Sequence, residues 1–385
     1  MKMADAEPVL LNEVIVEILS WLPVKLLVQF SCVCKYWKSL LSDPHFIKLH
    51  LQKSSKYANL ILTLTTPSAR NRCVTSCSIG SFRQNPYIAS EHGHLLLNCK
   101  YKVLGSCNGL VCLIGSTHED KIGQHWVRFW NPAIRLKSRK SPFLQVDLRV
   151  NELGSTKFGF GYDKSSDTYK VVAVLCNRNA MEYSERTQVK VYTMGDNCWR
   201  DIQSFPAFPI IFRNGGRFMN GTLNWLAIRN YASGCDWDTV TIDQLVIVSL
   251  DLANETYTQL SLPVDLDEIP YVAPAIGVFG DCLCLFHDYQ RTNFVVWQMK
   301  EFGVENSWTR FVNISYQHLR VGGRIKFFSL VPLCISENGD VLMMLNHNFE
   351  LIIYYRADNR VERAKYHNRV WIDTKEHVQS LIMPY

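Results

Sequence analysis

A chain of 385 residues, 47% hydrophobic and 20% charged, is long enough for more than one folding unit and too apolar to be disordered. Its net charge of +6 does not by itself require a nucleic-acid partner, and no apolar run approaches the roughly 20 residues that a membrane helix needs. Thirteen cysteines, an odd count with no export signal ahead of Val9, read as reduced thiols of an intracellular protein, cytoplasmic or nuclear and not secreted.

Residues 1–9 are expected to be a flexible N-terminus. From Leu10 to Leu51 the apolar spacing is helical: Val14, Ile18 and Leu22 recur at steps of four beside Ile15 and Leu19. Asn12 is a candidate N-cap, and Pro23 ends the helix. A short turn is expected over Val24–Phe30. Ser31 then caps a second helix carrying Val33, Cys34, Trp37, Leu40 and Leu41. Asp43-Pro44 opens a last short helix with Phe46, Ile47 and Leu49. Three or four helices this short cannot enclose so much Leu, Ile, Val and Trp among themselves. The surplus either packs on the rest of the chain or faces a partner.

The run Ile15-Val16-Glu17-Ile18-Leu19-Ser20-Trp21-Leu22-Pro23-Val24-Lys25, followed by Cys32 to Leu40 and Ser42-Asp43-Pro44-His45-Phe46, resembles the F-box of plant F-box proteins. The resemblance implies an F-box over residues 10–51 that docks a Skp-type adaptor, and through it a cullin–RING scaffold. It implies adaptor-facing residues drawn from Ile18, Leu19, Leu22, Pro23, Leu27, Val33, Cys34 and Trp37. Where the family usually opens with a Leu-Pro pair, this chain has Leu11-Asn12.

Beyond about residue 55 the period changes to that of strands. Residues 52–100 are expected as a connecting region with a first, irregular β unit, and 101–385 as one large β domain. Gln188 to Thr193 alternates with period two, turns at Gly195-Asp196-Asn197 and returns at Trp199. Equivalent returns fall at 257, 308 and 361, which are 58, 51 and 53 residues apart. A second series has glycines at 109, 161, 221, 280 and 339, spaced 52, 60, 59 and 59. Two interleaved series of similar period point to a repeating β unit of about 50–60 residues, as in kelch-type propeller blades. A β-sandwich is the alternative, but its turns would not normally produce this longer period. The expected fold is therefore multidomain: a small all-α N-terminal unit and a large all-β, propeller-like domain.

The second region also carries a resemblance. Gly105-Ser106-Cys107-Asn108-Gly109-Leu110-Val111-Cys112, Trp130-Asn131-Pro132, Gly159-Phe160-Gly161-Tyr162-Asp163, Lys170-Val171-Val172, Val191-Tyr192, Asn220 to Leu226 and Val296 to Lys300 look like the F-box-associated domain of plant F-box proteins. Asn224 stands where that family commonly has His before the Trp. The resemblance implies a non-catalytic substrate receptor of a Skp–cullin–F-box ubiquitin ligase, with the β domain binding a target protein. The alternatives are a ligand- or glycan-binding propeller and a propeller enzyme, with the helices as packing.

Other motifs are weak. Gly159-Phe160-Gly161 lacks the third glycine of a dinucleotide fingerprint and reads as a turn. Cys32/Cys34, Cys73/Cys77, Cys282/Cys284 and His92/His94 lack paired zinc spacing, so no metal and no cofactor are expected. His287-Asp288 and Asp265-Asp267-Glu268 offer acid–base groups without a nucleophile. Charge is segregated. Residues 121–150 hold seven bases (Lys121, Arg128, Arg135, Lys137, Arg139, Lys140, Arg149) against Asp147, a net of 7 − 1 = +6. Residues 235–270 hold eight acids and no Lys or Arg. Such patches select protein partners, and Arg135, Lys137, Arg139 and Lys140 are the candidate substrate contacts. Neither nucleic acid nor membrane is expected as a partner.

Overall fold

A computed structural model describes residues 12–54, 59–65, 72–78, 95–97, 101–149, 156–177, 180, 186–210, 215–231, 237–266, 269–270, 272–321, 330–336, 338–345, 350–365 and 370–385. Residues 1–11, His92, His94, Asp236, Asp267 and Glu268, named above, lie outside them.

Four helices come first: α1 (Asn12–Ser20), α2 (Val24–Phe30), α3 (Lys35–Leu41) and α4 (Pro44–Ser54). Two local expectations need correction. Val24–Phe30 is a helix, not a turn. Its seven residues would not hold a helix alone, but Val24 and Leu27 are fully buried, and tertiary packing sustains it. Ser31 is not the cap of the next helix. Its hydroxyl donates back to the Val28 carbonyl (2.6 Å), and Cys34 takes the cap position, its Sγ accepting from the Trp37 amide at 3.5 Å. Asp43 caps α4 as expected, its Oδ1 accepting from the His45 and Phe46 amides at 2.9 and 3.0 Å.

Among the described residues the strands form six antiparallel sheets. Blade 1 holds β1 (Asn59–Thr65), β2 (Arg72–Ser78) and β3 (Leu95–Leu97), completed by the last strand of the chain. Blade 2 is β4 (Tyr101–Cys107), β5 (Leu110–Glu119), β6 (Ile122–Asn131) and β7 (Leu136–Lys137), with β8 (Leu144–Asp147) continuing the outer position along β6. Blade 3 is β9 (Lys157–Asp163), β10 (Thr168–Cys176), β11 (Thr187–Thr193) and β12 (Arg200–Ile202). In blade 4, β13 (Phe208–Pro209) and β14 (Arg217–Met219) share the inner edge of β15 (Thr222–Ile228), followed by β16 (Leu245–Asp251) and β17 (Tyr257–Leu260). Blade 5 is β18 (Ala275–Phe279), β19 (Cys282–Tyr289), β20 (Asn293–Met299) and β21 (Trp308–Ser315). Blade 6 is β22 (Leu330–Ile335), β23 (Val341–Leu345), β24 (Glu350–Tyr355) and β25 (Arg360–Lys365). The last strand, β26 (Val370–His377), runs antiparallel to β1, with Asn59 opposite His377 and Thr65 opposite Val370. The circle is thus closed by hydrogen bonds between its two chain ends.

The inner strands β26, β4, β9, β14 and β18 follow one another in contact, and β22 returns to β26. Both sequence series find their place in this arrangement. Gly109, Gly221, Gly280 and Gly339 sit at positive φ in turns between first and second strands. Positions 199, 257, 308 and 361 fall at the starts of outer strands. Gly161 departs from its series, and Gly159-Phe160-Gly161 is not a turn: both glycines lie within β9. A Cβ on Gly161 would stand 2.3 Å from a ring carbon of Phe218, and one on Gly159 would stand 2.8 Å from Trp225. The glycines let inner strand β9 close onto blade 4.

Strands alternate in direction, so the turns of every blade divide between two faces. First-to-second and third-to-fourth turns share one face. Second-to-third turns and the connections between blades share the other.

Candidate functional site

The helices pack on the first of these faces. Leu19, Val24, Leu27, Leu41 and Phe46 form their core, and Leu381 from the C-terminal tail completes it, with Ala133 and Ile134 from the β6–β7 turn packed against it. The tail is held in turn by Asn131. Its side-chain amide donates to the Ser380 and Ile382 carbonyls, both at 2.9 Å, while its Oδ1 accepts from the Ala133 amide. Lys48 of α4 meets Asp167 of the β9–β10 turn at 2.5 Å. The buried His50 ring holds the Leu22 carbonyl at 2.9 Å, and burial pushes its pKa down despite that contact.

The outer side of the helices is apolar and exposed. Ile18 is 52% and Val33 66% exposed, joined by Val14, Trp21, Leu26, Val28 and Tyr36. Val14 and Ile18 lie one turn apart on α1. The Trp21 rim is fixed by Glu17, which accepts from its indole N–H at 3.0 Å, and by the Lys53 ammonium, 4.6 Å from the ring centre.

The eight residues expected to face an adaptor therefore divide. Ile18, Pro23, Val33 and Cys34 are exposed, and Leu22 and Trp37 are half-buried, Trp37 edge-on to Phe30 at 5.1 Å. Leu19 and Leu27 lie inside the helical core, where no partner touches them without opening the module. Val14, Trp21, Leu26, Val28 and Tyr36 are exposed apolar residues outside the expected set. The four-residue step from Val14 to Ile18 was the available signal for the first of them.

The basic run lies on blade 2, with Arg139 and Lys140 in the irregular stretch between β7 and β8. Arg135 ends the β6–β7 turn at φ 60, and Lys137 lies on β7, the outer edge of blade 2. Arg135, Lys137, Arg139 and Lys140 are all exposed. Lys137 stands 5.8 Å from the Trp130 ring and Lys140 4.5 Å from that of Trp126. Partial burial, together with Arg128, lowers the pKa of Lys137. The run thus begins next to Ala133 and Ile134, which pack on the helical core, and continues along the outer edge of blade 2.

The acidic stretch is split between the faces. Asp251 and Glu255 turn on the helix side. There Glu255 pairs with Arg200 and, at 3.1 Å, with the buried Lys170, which also meets Asp163 at 3.0 Å. Burial works to raise the Asp163 carboxyl, but hydrogen bonds from Ser166, Ser165 and Lys170 outweigh it and hold it well below the usual carboxylate range. These charges fasten blade 3 to blade 4. Asp238, Asp243 and Asp265 are exposed on the opposite face.

On that opposite face a cleft of about 380 Å³ opens between blades 4 and 5, lined by Trp237, Asp238, Ile269, Pro270 and the β19–β20 turn. Asp288 lines it, His287 precedes it on β19, and both are tied into structure. The Trp297 indole donates to His287 Nε2 at 3.2 Å, burial lowers the His287 pKa, and Asp288 accepts from the Tyr316 hydroxyl at 2.6 Å. Cys284 is buried in the core between blades 5 and 6, with Cys282 packed against it. Among the described residues no three His, Cys, Asp or Glu side chains are grouped to hold a metal, and no described helix is long and apolar enough to cross a membrane.

The chain matches two protein families. Residues 73–384 match the F-box associated β-propeller domain, and residues 12–51 match an F-box-like domain. An F-box/kelch-repeat protein of Arabidopsis thaliana is 32% identical, over 97% of this chain and 95% of that protein. The F-box protein CPR1 of the same plant is 26% identical, over 88% of this chain and 80% of its own. Among solved structures, the GH93 α-L-arabinofuranosidase of Fusarium graminearum aligns at a TM-score of 0.40 and 8% identity, covering 70% of this chain and 84% of that one, too weak a likeness for a functional inference.

Proposed function

Since the chain belongs to the plant F-box proteins with a C-terminal F-box-associated propeller domain, we propose that it is the substrate-recognition subunit of a Skp–cullin–F-box ubiquitin ligase. In this reading it has no chemistry of its own and works in the cytoplasm or nucleus. The observation that carries it is the outward apolar side of the helices. A module that already buries its inner side against Leu381, Ala133 and Ile134 still exposes Val14, Ile18, Trp21, Leu26, Val28, Val33 and Tyr36. Rimmed apolar surface of this kind marks a protein interface.

The adaptor would cover Ile18, Pro23, Val33 and Cys34, with Leu22 and Trp37 at the base of the contact. The target would then bind where the adaptor does not reach: the outer edge of blade 2 with its basic run, or the face opposite the helices. The anchored tail bears on this role. Leu381 and Asn131 hold helices and propeller in one geometry, and a fixed geometry places a bound target at a set distance from the scaffold. The direct test is to mix the purified chain with a Skp-type adaptor and then with the cullin–RING scaffold. Co-elution in both steps is the expected result. A folded chain that elutes apart from the adaptor contradicts the proposal and moves the ligand-binding reading forward.

A further inference from the structure

We infer that the cleft between blades 4 and 5, where Trp237, Ile269 and Pro270 face the tight Tyr289–Thr292 turn, binds a peptide segment of the target: one large apolar residue flanked by lysine or arginine. The inference deepens the receptor reading and rests on it for the statement that the peptide belongs to a target.

Position is the first argument. The cleft is built from the β15–β16 and β19–β20 turns and from the connection into β18, all on the face opposite the helices. An occupant there does not compete with a partner on α1–α4.

Size and lining come next. A volume of about 380 Å³ is at the small end of ligand sites, enough for one or two side chains and too small for a folded surface. The Trp237 indole N–H is already donated to the Pro270 carbonyl at 2.9 Å, so Trp237 offers a ligand ring surface rather than a donor. Ile269, Pro270 and Tyr289 add further apolar wall.

The turn on the other wall is unusual. Gln290 and Arg291 both sit at positive φ, 49° and 56°, closed by the Thr292 amide donating to the Tyr289 carbonyl at 2.9 Å. The loop between the paired Tyr289 and Asn293 has three residues, and successive positive-φ residues in hairpin turns are normally Asn-Gly or Asp-Gly. Among the described residues no other adjacent positive-φ pair lacks Gly, Asn or Asp. Asp288 clamps the turn, accepting from the Arg291 amide at 2.8 Å and from the Tyr316 hydroxyl at 2.6 Å. Strained backbone held rigid beside a cleft is a property of binding sites.

Charge identifies the occupant. Asp238 lines the cleft, and Asp243 and Asp265 are exposed on the same two connections of blade 4, in a stretch that has no Lys or Arg from 235 to 270. Arg291 is the one base in the lining. Two carboxylates, Asp238 and Asp288, against one base in the lining, with apolar wall from Trp237, Ile269 and Pro270, suit a basic peptide with an apolar anchor; a neutral sugar would gain nothing from the charge.

The test is fluorescence polarisation with the full chain bound to its adaptor. The probes are labelled heptapeptides with three lysines on each side of a central Phe, Leu or Trp, a control with central Ala, and a Phe peptide flanked by glutamates. The expected result is that at least one apolar-centred lysine peptide binds at least tenfold tighter than the Ala peptide, and that the glutamate peptide does not bind. Asp238→Lys, at an exposed position, and Trp237→Ala should each weaken binding at least tenfold. Both variants should still capture the adaptor. A central benzoylphenylalanine should crosslink to 237–240 or 289–291. Equal binding of the Ala peptide, unchanged affinity in both variants, crosslinks elsewhere, or displacement by a neutral oligosaccharide would overturn the inference. Should the free chain bind the peptides but not the adaptor, the receptor reading fails and the cleft stands; adaptor capture without peptide binding means the reverse.

Discussion

Of the thirteen large hydrophobic side chains exposed among the described residues, seven lie in the helical unit, within residues 12–54. The six blades expose only six, counting the C-terminal Tyr385, although their cores include Trp225, Phe129 and Phe205, each at most 2% exposed. Blades stack on one another and close through β26, so each can turn its apolar side chains inward. Among the described residues the helices meet the propeller on one side, through the tail, the β6–β7 turn and the Lys48–Asp167 pair. The helical unit leaves apolar surface uncovered, whereas the described part of the propeller leaves little. Binding surfaces on the propeller must therefore be sought in its turns and connections, not in unspent apolar area.

If this contrast is right, damage to the propeller should be costly and internal. Trp225→Ala empties a fully buried site between blades 3 and 4 and is expected to cost about 3–5 kcal/mol, read as a lower midpoint in denaturant. A smaller change sharpens the point. Gly161→Ala drives a methyl into Phe218 and should destabilise by about 1–3 kcal/mol, although alanine is ordinarily the better strand residue; a neutral effect would mean β9 and β14 are less closely packed than described.

The joint between the two units is the next place to press. Leu381→Ala removes the propeller's main contribution to the helical core, at the lower end of the ~2–5 kcal/mol range for such truncations. Hydrogen exchange should quicken in α1–α4 and stay unchanged in blades 3–5. Uniform quickening would mean that the units share one core.

The most local effect is a pH dependence confined to the closure strand. Burial, reinforced by Asp281, pushes the Glu376 carboxyl up to about 7. A carboxyl whose folded pKa lies above its unfolded one binds its proton more tightly when folded. Protonation thus stabilises, and stability falls as pH rises from about 4.5 to 7 and stays low above it. Glu376→Gln should raise the melting temperature at pH 8, and the gain over wild type should vanish by pH 4. A gain that is the same at both pH values contradicts this.

Much of the architecture could be read ahead of the structure because it is written in local chemistry. Asn-Gly turns at 108–109 and 220–221 and outer-strand starts at 199, 257, 308 and 361 recur with the blade, and the Val14–Ile18–Leu22 step is a helical stripe. What escaped was non-local or context-dependent. The pairing of β26 with β1 joins residues some three hundred positions apart, with no mark in either segment. Leu381 looks like any tail leucine until the helices are placed over it. Gly159 and Gly161 have the composition of a turn, and only the neighbouring Trp225 and Phe218 explain them within a strand. On the helices, the resemblance groups Leu19 and Leu27 with Ile18 and Val33, and periodicity cannot say which side the tail will cover. The far-face cleft is assembled from three separated segments and has no motif at all.

The central claim, that the exposed side of the helices is an adaptor interface, is tested most directly by calorimetric titration of a Skp-type adaptor into the wild type and into the double variant Ile18→Asp, Val33→Asp. Both positions are exposed, so the variant should unfold at the wild-type temperature. Each lost apolar burial is worth about 1.5–3 kcal/mol, so affinity should fall by roughly two to four orders of magnitude. Equal affinity for the two proteins would contradict the account and place the adaptor, if it binds at all, on some other surface.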